Sequence, residues 1–252
     1  MSIGDAEIKT QERVIRFFKD PEILGYQYIG NLSDYQNKNI KEDRLRQYLR
    51  LKGYADKLID AAIMQLQQEA GNLSRGVYDA NKTVYSRLKY GIPVSESPEK
   101  PPVTVQLVDE EKPLNNDFAI AEEVTVVEQS EKRPDLVVYL NGIAVAVIEL
   151  KRSSISVSEG IRQNLTNQKN SFIQSFFTTM QFCMAGNESE GLRYGTLLTG
   201  EKFYMEWKDD GFEEHEEERD PVDVRISKTC EGIENKLLKQ IYAMFDKERF
   251  ID

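Results

Sequence analysis

A chain of 252 residues can build one large domain or two small ones around a substantial core. It is 40% hydrophobic and 30% charged, has no apolar run near the roughly 20 residues that span a bilayer, and starts without the apolar stretch of a signal peptide. Two distant cysteines, Cys183 and Cys230, match no zinc spacing, and the one histidine, His215, excludes His-rich zinc chemistry; a cytoplasmic protein with reduced thiols and no membrane partner is expected.

The net charge of −10 looks wrong for a partner of nucleic acid, because phosphate contacts need Lys and Arg. The distribution softens that objection. Residues 209–223 hold nine acidic side chains against Arg219, a local charge of −8, which leaves −2 for everything else. That acidic run, with His215 inside it, reads as a solvated loop.

In chain order, QERVIRFF predicts an amphipathic helix and LGYQYIG a short strand. EDRLRQYLRLKGY and ADKLIDAAIMQLQQEA carry apolar residues at three- and four-residue spacing, which predicts two helices. SRGVYDANKTVYSRLKY predicts a third, stopped by Gly91 and Pro93, and SESPEKPP is a connector. The period then changes. VTVQLVD and FAIAEEVTVVE, rich in β-branched residues, predict strands. SVSEGIRQNLTNQKNSFIQ returns to helix, with Ile161, Leu165 and Phe172 on one face and Ser156 and Glu159 at capping-box spacing. TTMQFCMA, RYGTLLT and KFYMEW predict further strands, the last two joined by a tight turn at Gly200, and KLLKQIYAMFDKERF a final helix. Alternating helices and strands imply an α/β or α+β sheet covered on both faces.

Between these lies RPDLVVYLNGIAVAVIELK, residues 133–151: two apolar runs joined by Asn141-Gly142, a strong hairpin signal. It starts with Pro134-Asp135 and ends with Glu149-Leu150-Lys151. Glu-x-Lys recurs in this chain and says little alone, but Pro-Asp occurs once. Parity decides whether the ends can cooperate. A plain two-residue turn with an unbroken ladder would put Asp135 and Glu149 on opposite faces. An odd loop or a bulge restores them to one face. A three-residue loop ending in a left-handed Gly142 would set Asp135 opposite Val147, with Glu149 its diagonal neighbour and Lys151 on the same side. The other face would then carry Leu136, Val138, Ala144 and Ala146. Asp135, Glu149 and the Leu150 carbonyl are hard oxygen donors suited to Mg²⁺, and Lys151 could orient a water or balance charge on a phosphate.

These residues resemble the PD-(D/E)xK nuclease superfamily, and RPDLVVYLNGIAVAVIELKRS in particular resembles the N-terminal nuclease domain of the motor-and-cleavage subunit of type I restriction enzymes. The resemblance continues through SEGIRQNLTNQKNSFI, EGLRYGTLLTGEKFYMEW and KLLKQIYAMFDKERFID. It implies an α/β restriction-endonuclease-like core, a mixed central sheet flanked by helices, with residues 1–95 as a helical N-terminal part and 96–252 as the core and the start of a linker. It also implies Mg²⁺-dependent cleavage of double-stranded DNA, methyltransferase and specificity subunits as partners, and ATP-driven motor domains. The chain has no GxxxxGK[ST] phosphate loop, so ATP belongs to motor segments outside it. The family's early-helix acid matches Glu12 best. Its Gln-x-x-x-Tyr motif appears as Gln163 with Asn167 in the Tyr position; both, with Arg152, Arg162 and Lys169, are candidate DNA contacts. A stand-alone repair or resolvase-type nuclease and a non-catalytic docking module are the alternative readings.

Overall fold

The computed structural model describes residues 3–97, 99–207 and 220–251. The chain opens with α1 (Ile3–Lys19), whose buried Val14, Ile15, Phe17 and Phe18 face the core, and β1 (Gln27–Asn31). Three helices follow at the predicted places: α2 (Glu42–Leu51), α3 (Asp56–Gly71) and α4 (Val77–Tyr90). A small ribbon, β2 (Ile92–Val94) with β3 (Val103–Val105), leads into the sheet. The sheet strands are β4 (Phe118–Glu122), β7 (Leu136–Leu140), β8 (Ile143–Leu150), β9 (Phe182–Asn187), β10 (Gly191–Gly195) and β11 (Met205–Glu206), with β1 on the edge. Two two-residue strands, β5 (Val126–Val127) and β6 (Glu131–Lys132), pair with each other. Helix α5 (Val157–Asn167) crosses from β8 to β9, and α6 (Pro221–Glu231), α7 (Lys236–Phe245) and α8 (Lys247–Ile251) end the chain.

The seven strands run β1-β4-β7-β8-β9-β10-β11. β1 is parallel to β4 and β9 to β8; the other pairs are antiparallel. The mixed α/β sheet expected from the sequence is therefore present. One face packs Leu136, Val138, Ala146 and Ile148 against α1, α2, α3 and α7. The other packs Val137, Tyr139, Ala144 and Val147 against Phe176, Phe177 and Met180. The N-terminal helices and their edge strand thus share the sheet's core.

Several predicted segments break where tertiary contacts intervene. FAIAEEVTVVE is not one strand, because Glu123 turns with φ of 51° and hands its own N–H and that of Val124 to the carbonyls of Asp135 and Pro134 at 2.8 and 3.0 Å. The helix begun at Val157 stops at Asn167; Gln174–Thr179 forms a 3₁₀ turn, with the Glu128 carboxylate accepting from the Ser175 and Phe176 amides, and β9 starts only at Phe182. β10 and β11 are joined not by a tight turn at Gly200 but by a turn and a 3₁₀ segment, Glu201–Phe203. The last helix divides at Asp246, which is extended and ion-paired to Arg225. Ser156 caps α5, while Glu159 pairs with Arg162. His215 and most of the acidic run lie outside the described residues; Asp220 caps α6.

The hairpin resolves the parity question in an unexpected place. Asn141 and Gly142, with φ of 52° and 83°, form a two-residue turn, and Leu140 faces Ile143. The three-residue loop is therefore overturned. The extra residue sits inside β8: Tyr139 pairs with Ala144 but Val138 with Ala146, leaving Val145 as a bulge. Beyond it Leu136 faces Ile148, and one step further the register brings Asp135 opposite Glu149 rather than Val147. The bulge also moves Ala144 from the predicted face to the carboxylate side. Helix α2 explains the short turn. A β-carbon on Gly142 would lie 2.7 Å from the Lys41 carbonyl oxygen and the Leu45 nitrogen, and 2.9 Å from the Arg44 β-carbon. Gly142→Ala should accordingly cost about 2–4 kcal/mol in chemical denaturation, combining overpacking with a left-handed backbone. A loss under about 0.5 kcal/mol would contradict this tight docking.

Candidate active site

Asp135 enters from the first residue before β7, and Glu149 and Lys151 from the end of β8. The strand pairing makes the two carboxylates cross-strand neighbours on one face of the sheet. Asp135 Oδ2 accepts from the Leu150 amide at 2.7 Å. Glu149 is fully buried: its Oε2 accepts from Gln163 Nε2 at 2.6 Å, and its Oε1 has no hydrogen-bond partner. A buried carboxylate oxygen without a partner is costly, and a cation is one group that could satisfy it.

Helix α5 covers this pair because Gly160 lets it come close. A β-carbon there would fall 2.9 Å from that of Ala185 and 3.4 Å from that of Glu149. The close approach brings Gln163, one turn on, to the Glu149 carboxylate. Lys151 lies at the rim, donating to the Leu150 carbonyl at 3.1 Å and to Glu7 Oε1 at 3.2 Å. The acid that α1 delivers to the cluster is thus Glu7; Glu12 is exposed. Periodicity could have found this. Glu7 and Gln11 continue backward the stripe of Val14 and Phe18, so they are polar residues on the buried face.

Electrostatics reinforce the picture. Burial raises Asp135 to about 6, against the pull of Lys151 and the Leu150 amide, with Glu123 and Glu7 adding to the rise. Burial, then repulsion from Asp135, pushes Glu149 well above the usual carboxylate range. For Lys151, burial acts downward, but attraction to Asp135, Glu149 and Glu7 outweighs it and raises the value. The donor set fits Mg²⁺, which commonly takes one or two carboxylates and keeps waters for the rest. Asp135, Glu149 and the Leu150 carbonyl are the groups that would hold it. Among the described residues no third His, Cys, Asp or Glu completes a larger ligand cluster.

The chain matches the family described as type I restriction enzyme R protein N terminus over residues 7–203, well over half its length. It belongs to that family. No curated protein matches it. The match runs from within α1 to the 3₁₀ segment Glu201–Phe203, so the R-protein N terminus includes Glu7, Gln11 and the whole carboxylate site.

The candidate DNA contacts of this R-protein domain fall in different places. Gln163 turns inward to Glu149, and Asn167 is 2% exposed, so neither is presented outward as the sequence suggested. Arg162 is tied to Glu159 and Glu201. Arg152, half-buried beside Lys151, and Lys169, exposed past the end of α5, form no ion pair among the described residues. No described helix is long and apolar enough to cross a membrane.

The raised carboxyl values have a thermodynamic consequence. Folded values above unfolded ones mean that the contribution is present below the unfolded carboxylate pKa of about 4, and is lost as pH rises through about 6 for Asp135 and higher for Glu149. In chelator, the melting temperature should fall between about pH 5 and about pH 8. Asp135→Asn should flatten that slope and melt higher at about pH 8, by roughly 2–4 °C for each 1 kcal/mol of relieved repulsion. Parallel melting curves for the two proteins would show that the pair is not strained.

Proposed function

We propose that this domain is the Mg²⁺-dependent DNA endonuclease module of a type I restriction R subunit, hydrolysing phosphodiester bonds in double-stranded DNA. The observation that carries the reading is the fully buried Glu149, with one oxygen unpartnered, facing Asp135 at the mouth of the sheet beside Lys151. A structural ion pair would satisfy its own oxygens; this arrangement leaves donor capacity unused. A bound Mg²⁺ would supply charge neutralisation at the phosphodiester and acidify water.

The chain's own groups divide the remaining work. Asp135 and Glu149 aim their oxygens where a cation would enter and would displace the protons that burial favours there, and Gln163 and the Leu150 amide fix one oxygen of each. Lys151 keeps its proton, so it can bind a phosphate oxygen or orient the attacking water. Arg152 and Lys169 remain available for phosphate contacts. In the assembled enzyme, the methyltransferase and specificity subunits would choose the DNA, and ATP-driven motor segments outside this sequence would bring it to the site.

Mn²⁺ calorimetry with the 252-residue chain tests the central step, since Mn²⁺ suits the same oxygen donors. One saturable site is expected, lost in Asp135→Ala of unchanged fold. No binding to the wild type, or equal binding to both proteins, would sink the metal reading and favour a docking role.

A further inference from the structure

One polar residue close to the site serves neither the carboxylates nor Lys151 directly. Gln11, on α1, is only 8% exposed, and its amide nitrogen donates to two acids at once: Glu122 Oε2 at 3.1 Å and Glu123 Oε1 at 3.2 Å. Those acids are consecutive, and adjacent carboxylates repel when brought together out of water. Tyr28 also donates to Glu122, and Arg133 pairs with Glu123 at 2.7 Å. Gln11 is thus the group that bridges the two acids.

What the bridge holds is informative. Glu123 sits at the left-handed turn ending β4, a conformation uncommon for a residue with a side chain. From that turn, the Glu123 and Val124 amides bind the Asp135 and Pro134 carbonyls. The turn therefore clasps both peptide units of Pro134-Asp135 just where the Asp135 carboxyl is aimed at Glu149. Gln11 lies one helical turn from Glu7, so one stripe of α1 contacts both Lys151 and this turn.

We propose that Gln11 is a positioning residue for Asp135. It acts through the Glu122–Glu123 turn, holding two acids in place so that the turn grips the Pro134-Asp135 backbone. The inference rests on the metal-nuclease reading only where it concerns metal affinity; the clamp itself is a property of the folded chain.

The test uses the 252-residue chain with Gln11→Met, which keeps length and volume but donates nothing, and Gln11→Glu, which adds a third charge. Amide hydrogen exchange by NMR is read at Glu123 and Val124, with the β9–β10 pair as internal reference, beside Mn²⁺ calorimetry at a temperature where all forms are folded. Gln11→Met is expected to speed exchange about tenfold at Glu123 and Val124 with the reference unchanged, and to weaken Mn²⁺ about tenfold, the low end for residues that orient metal ligands. Gln11→Glu should lose more on both readouts. Unchanged exchange at Glu123 and Val124, uniform acceleration that includes β9–β10, or a Gln11→Glu loss no larger than that of Gln11→Met would each overturn the proposal. A wild-type chain that binds no Mn²⁺ sinks the metal reading instead, and the exchange pattern then decides the clamp alone.

Discussion

Two carboxyl groups buried against each other at the end of a hairpin constrain everything placed around them. Bulk solvent would screen the conflict, but Glu149 is fully buried, and its repulsion from Asp135 is felt at low effective dielectric. The surroundings divide into groups that make this tolerable and groups that keep it from relaxing. Lys151 supplies the nearby positive charge, and Gln163 and the Leu150 amide donate to one oxygen each. One Glu149 oxygen is still left over. That leftover oxygen is the feature on which the proposed cation site rests.

Keeping that conflict in place requires rigid neighbours. The bulge at Val145 turns the strand by one residue, and only this puts both acids on one face. The turn at Asn141-Gly142 cannot lengthen to do the same work, because α2 lies directly against it. Helix α5 presses on Glu149 from above through Gly160. Helix α1 closes the rim through Glu7. The N-terminal helical part is therefore tied to the site by specific polar contacts as well as by shared apolar packing.

Much of this was legible in the sequence, for local reasons. Helices α1 to α4 follow from apolar spacing, the hairpin from Asn-Gly between apolar runs, and the acids from Pro-Asp and Glu-x-Lys at its ends. Parity showed that an extra residue was needed somewhere but could not place it. A G1-type loop was as consistent with the pattern as a bulge; the docking of Lys41, Arg44 and Leu45 on Gly142 decided between them. Glu7 rather than Glu12 meets Lys151 because the buried stripe of α1 continues past its apolar residues to Gln11 and Glu7. Asn167 and Gln163 lie one turn apart, as expected, but which way that face of α5 turned depended on where Gly160 met Ala185.

Residue type and strand period are local properties, so the kind of chemistry on offer can be read before folding: an apolar hairpin whose ends carry two hard oxygen acids and a lysine. That Asp135 faces Glu149 directly, that Glu149 is fully buried with one oxygen unpartnered, that Gln163 donates to it and that Glu7 meets Lys151 emerge only when the segments pack together. Those outcomes depend on burial and on contacts between segments more than a hundred residues apart, such as Lys151 with Glu7, and no local pattern encodes which distant side chain will fill the remaining space.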